Sequence, residues 1–99
     1  MSKEQPLGVT RNLRVLGEHV SAWRKLQRLT TTSVAARAGV TRNTLRAIEQ
    51  GTGTTSTENL FRVLRVLGIA DGIVSAADPY KSDVGKLRVD EVLPRRVRG

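Results

Sequence analysis

The chain has 99 residues, no cysteine and three aromatic side chains, with 17 Lys and Arg against 9 Asp and Glu for a formal net charge of +8. That length suits one small domain, and its basic balance, with a pI of about 11.3, calls for a polyanionic partner, either nucleic acid or an anionic membrane surface. The composition excludes a disulfide framework, a thiolate nucleophile and a cysteine zinc site, and no apolar run approaches the ~18 residues of a membrane span. In chain order, residues 1–9 hold Pro6 and Gly8 without periodicity and read as a flexible lead-in. Apolar residues at 13, 16, 20 and 23 then set a helix over 10–28, with Leu16, Val20 and Trp23 facing inward. Gly17 inside that helix costs roughly 1 kcal/mol against alanine, which points to close packing there.

A second helix is expected over 31–38, capped by Thr30, burying Val34, Ala35 and Ala38, and stopped by Gly39. A third starts after Thr41, buries Leu45 and Ile48, and ends at Gly51. GTGTTST (51–57) is a loop. A fourth helix runs over 57–67 with Leu60, Phe61, Leu64 and Leu67 inward, opened by Thr55-x-x-Glu58 as a capping box and closed by Gly68. A short helix over 71–76 is broken by Asp78-Pro79. Beyond it, residues 84–93 hold either a short helix or a strand, and the alternation in Lys86-Leu87-Arg88-Val89 suits an edge strand that pairs across a dimer. The expected organisation is therefore a lead-in (1–9), a helical domain (10–77) and a basic tail (78–99).

Charge is distributed unevenly over this plan. From Thr10 to Leu67 ten basic residues face only Glu18, Glu49 and Glu58, whereas 71–99 holds six basic residues against five acidic ones. The excess belongs to the helical domain. That favours a folded binding face over a basic tail alone.

Counting from Thr31, a small residue falls fifth (Ala35), glycine ninth (Gly39), and apolar residues tenth (Val40), fifteenth (Leu45) and eighteenth (Ile48). The small residue lets two helices approach, the glycine supplies the turn, and the later apolar residues seat the following helix while its other face stays exposed. This is the spacing of a DNA-binding helix-turn-helix. "LGEHVSAWRK" (16–25), "VAARAGVTRNTLRAIEQG" (34–51) and "ENLFRVLRVLG" (58–68) together resemble the lambda-repressor-like or Xre-type helix-turn-helix proteins over Leu16–Ile69. The resemblance implies an all-α, compact bundle of about five short helices, used as a homodimer on a palindromic operator in double-stranded DNA.

Carried over residue by residue, the resemblance gives Arg42 and Asn43 as base readers, because arginine forks onto guanine O6 and N7 and asparagine pairs with adenine N6 and N7. Thr44 and Arg46 flank that face, and Ala47 occupies a later base-facing position where it offers at most a contact to a thymine methyl. Thr31, Thr32, Arg37, Thr41 and Gln50 are the expected phosphate contacts. Thr31 stands where the family has a glutamine, so a phosphate hydrogen bond survives but the glutamine's bracing does not. Arg24 either braces Glu49 or stays free. Arg95, Arg96 and Arg98 in the tail are expected to follow phosphates, enter a minor groove or touch a partner. A purely solvated face is the alternative for Arg42, Asn43 and Arg46, as simple capping is for Thr31, Thr32 and Ser33.

The expected function is a sequence-specific transcriptional regulator, a cytoplasmic repressor without cofactor or metal. The alternative is an antitoxin that neutralises a partner toxin and autoregulates its operon. No enzyme is expected: a single histidine, His19, and no convergent acidic cluster leave no nucleophile–base pair.

Overall fold

The computed structural model describes residues 6–92, the side chain of residue 90 apart. Among them are six α-helices and no strand: α1 (Leu7–Leu26), α2 (Thr31–Ala38), α3 (Arg42–Gln50), α4 (Thr57–Leu67), α5 (Ala70–Ala76) and α6 (Asp83–Val92), with a 3-10 turn at Pro79–Lys81 between the last two. Val20, Val34, Leu45, Val63 and Leu64 are fully buried at the centre, one or two from each of the first four helices. α1 crosses α3, α2 lies against both α3 and α4, and α5 packs on α4.

Local chemistry fixes most boundaries. The hydroxyls of Thr30, Thr41 and Ser56 accept from the backbone N–H of Ser33, Thr44 and Asn59, closing the first turns of α2, α3 and α4. Gly39 and Gly51 end α2 and α3 at φ of +71° and +69°, where a Cβ would be strained. α1 ends without glycine: Arg28 takes φ +58° while Leu29 N–H reaches back to Arg24 O.

Five expectations change. α1 begins at Leu7, three residues early, because Pro6 sits at its front and its carbonyl accepts from Thr10 N–H at 3.1 Å. The α4 cap is Ser56 in place of Thr55, so Glu58 is free to pair with Arg62 one turn on, at 2.7 Å. On α4 Val63 is fully buried, whereas Leu60 and Phe61 are only half-buried. Trp23 is 45% exposed, not inward. It lines an open groove with Leu16, His19, Gly68, Ile69, Gly72 and Ile73, where the two glycines bring no side chain to cover it. Finally, 86–89 is helical. Ser82 caps α6 through its Oγ to Gly85 N–H at 2.9 Å, and Gly85 and Val89, four residues apart, pack on Pro79. That period of four belongs to a helix and defeats the edge strand.

Candidate nucleic-acid interface

The position of α3 is set by its contact with α1, and the contact is backbone against backbone. A Cβ on Gly17 of α1 would stand 2.5 Å from the carbonyl oxygens of Ile48 and Glu49. A Cβ on Gly51, just past α3, would stand 2.6 Å from Leu13 O and 2.7 Å from Arg14 N. Two glycines thus bring the helices closer than side chains permit, and Leu45 and Ile48 complete the seat from within.

A charged clamp adds to this. Arg24 of α1 forks onto Glu49 of α3, donating from Nε to Oε2 at 2.8 Å and from Nη2 to Oε1 at 3.1 Å, while its Nη1 donates to Leu29 O at 3.1 Å. Both side chains are only 13% exposed. The hydrogen bond with Glu49 raises the guanidinium above its ordinary value, against a smaller opposing effect of burial and with added charge attraction. A base whose folded pKa is raised contributes its full stabilisation below the ordinary value and loses it only as pH climbs through the higher one. The clamp is therefore fully charged throughout the neutral range. Of the two roles open to Arg24 in the sequence, it takes the brace.

Arg24→Ala should cost about 1.5–3 kcal/mol in urea unfolding, the scale of hydrogen bonds to a charged group left without its donor. Arg24→Lys should restore only part of it, since an ammonium lacks the fork. A loss for Arg24→Ala no larger than for an exposed arginine such as Arg11 would show that the clamp carries no stability.

With that side of α3 occupied, the opposite side is open to solvent. Arg42, Asn43, Arg46 and Gln50 are exposed, Thr44 is half-buried, and Thr41 is exposed at the cap. Thr41 and Thr44 join through their hydroxyls at 3.0 Å. Arg46 donates from Nη1 to Asn43 Oδ1 at 3.2 Å. The i,i+3 spacing of that pair is visible in the sequence, but the expectations above treat the two residues separately. Ala47 is half-buried and turns toward a cleft of about 310 Å³ lined by Val9, Leu13, Leu16, Ile48 and Leu60.

Thr31 and Thr32 are exposed in the first turn of α2, whose leading N–H groups have no helical acceptor. Arg37 stands six residues on, about 9 Å along the helix, where it shares a shallow groove with Arg62 and Arg65 of α4. The structure thus brings Arg42, Asn43, Thr44 and Arg46 together on one helix and sets Arg37 apart from Thr31 and Thr32. Arg95, Arg96 and Arg98 lie outside the described residues.

Chemically the face offers guanidinium forks, an amide and hydroxyls on a short protruding helix, a donor-rich set suited to base edges and phosphates. Among the described residues there is no group of His, Cys, Asp or Glu able to hold a metal ion, and no helix long and apolar enough to cross a membrane. The helix-turn-helix family model matches residues 20–71, which run from the middle of α1 into α5. No curated protein and no solved structure matches the chain.

Proposed function

The chain belongs to the lambda-repressor-like, Xre-type helix-turn-helix family of DNA-binding regulators, and from that premise we propose that it is a repressor that reads a palindromic operator as a homodimer. α3 enters the major groove, and the front of the helix reads sequence. Arg42 takes guanine and Asn43 takes adenine. Arg46 acts with Asn43, and Thr44 and Ala47 lie at the edge of the same readout. Thr31 and Thr32 with the open turn of α2, together with Thr41, Gln50 and Arg37, hold phosphates and fix the register.

The observation that carries this reading is the split of α3 into two faces. Leu45, Ile48 and Glu49 are consumed by the fold, while Arg42, Asn43 and Arg46 make no contact with the bundle that the fold needs. Solvent exposure alone does not require that division, but a groove-reading helix does.

Selection from a randomised duplex pool tests it. The wild type should enrich a two-fold symmetric motif. Arg42→Ala should lose preference at one guanine per half-site, by about 1–3 kcal/mol, or roughly 5- to 150-fold. Its binding to unrelated sequence should fall only by the loss of one positive charge. An unchanged motif for Arg42→Ala removes Arg42 from the readout, and a motif without symmetry removes the dimer.

A further inference from the structure

We infer that α6 is a dimerisation arm whose outer face docks into the α1–α5 groove of a second copy of this chain. The inference rests on the homodimer reading above and supplies the surfaces that reading lacks.

Two apolar surfaces on the same chain are left uncovered. One is the groove beside Trp23, about 480 Å³ in volume, floored by Leu16, Ile69 and Ile73. The other is the outer face of α6, where Leu87 is 75% exposed and Val84, three residues before it, is exposed as well. Leu26 and Val74 add exposed apolar surface on α1 and α5. A monomer of this size gains nothing from leaving a tryptophan-lined groove and a leucine-bearing helix both in water.

The arm is held away from its own bundle. A Cβ on Gly85 would run into the carbonyl of Pro79, so α6 lies directly on the 3-10 turn, with Val89 buried against it. That turn is tied to α5 by Lys81 Nζ donating to Ser75 Oγ at 2.7 Å, and Asp78 Oδ1 accepts from Tyr80 N–H at 2.9 Å. The radius of gyration is 16.5 Å, against about 13 Å for a compact chain of this length. Leu87 therefore faces outward on a fixed support.

Charge selects the occupant. α6 carries three acidic residues against two basic ones, whereas the domain over 10–67 holds ten basic against three acidic. A net acidic helix is repelled by DNA and attracted by another copy's bundle. Reciprocal docking closes a two-fold pair and buries both apolar surfaces twice.

The chain has no cysteine, so single cysteines report proximity without background. Gly72 is suited to a probe in the groove, because a Cβ there meets nothing within 4 Å. Val84 marks the arm and leaves Leu87 in place. Full-length Gly72→Cys and Val84→Cys proteins are mixed and oxidised, and sedimentation gives the mass of the wild type and of Leu87→Arg, with circular dichroism confirming that each is folded.

The expected result is a wild-type mass of twice 10.8 kDa, a disulfide only in the mixture, and a folded Leu87→Arg monomer. A dimer without that disulfide, or one crosslinked by Gly72→Cys alone, overturns arm docking and leaves the dimer standing. A double-cysteine chain that closes on itself places the arm on its own groove and overturns it too. A wild type that stays monomeric on operator DNA overturns both readings.

Discussion

Gly51→Ala should lower the unfolding free energy by about 2–5 kcal/mol, whereas Gly68→Ala, an alanine at the same kind of helix end, should cost only about 1–2 kcal/mol. Both glycines sit in left-handed backbone, at φ +69° and +79°, so both variants carry the strain of an L-residue there, roughly 1–2 kcal/mol. They differ in what surrounds the added methyl. At Gly68 it meets nothing within 4 Å, but at Gly51 it meets the backbone of Leu13 and Arg14 inside 2.8 Å. Backbone of a packed helix cannot step aside as a flexible side chain does, so α1 and α3 must separate, at the roughly 1–3 kcal/mol typical of overpacking. Urea titration of the two variants decides the matter. Equal losses would mean that α1 and α3 are not in the close contact described.

Leu45→Ala should cost about 2–5 kcal/mol, the range for truncating a buried leucine, because Leu45 is fully buried between the recognition helix and the core. A chain of this size has about 5–15 kcal/mol in all, and its melting temperature falls by roughly 4–8 °C for each kcal/mol lost. The thermal midpoint should therefore drop by at least 8 °C. Arg42→Ala, three residues earlier on the same helix but exposed, should stay within about 0.5 kcal/mol of wild type. A melting temperature for Leu45→Ala near that of wild type would remove Leu45 from the anchor and undo the two-faced reading of α3.

Where the deciding interaction was local, the sequence revealed it. Thr30 and Thr41 cap α2 and α3, and Gly39 and Gly51 stop them, because a cap is settled within four residues and a left-handed stop within one. Thr55 and Ser56 show the limit of that logic. Both are capping residues in adjacent frames, and only the entry of the preceding loop selects Ser56.

Trp23 was illegible for another reason. Its helical spacing places it on the inward stripe of α1, but whether a stripe is covered depends on the length and side chains of a distant helix. α5 is seven residues long with a glycine at 72, and leaves it open. The same holds for α6, where alternation over four residues suggested a strand until the contact of Gly85 with Pro79 showed the true period. Of the binding face, the spacing of Leu45 and Ile48 already implied which side of α3 is free. That Arg24 is committed to Glu49, 25 residues away, and that Arg37 keeps company with α4 needed the fold.

The clamp and the two glycine contacts bind α3 through residues that do not overlap with those it exposes. Exchanges at Arg42, Asn43 or Arg46 therefore leave the hold of α1 on α3 intact. A duplicated gene can then drift to a new target by single steps, each intermediate folding as well as its parent. The helix that carries the address is the one on which mutation is cheapest, and the helix that never meets DNA, α1, is the one that cannot change.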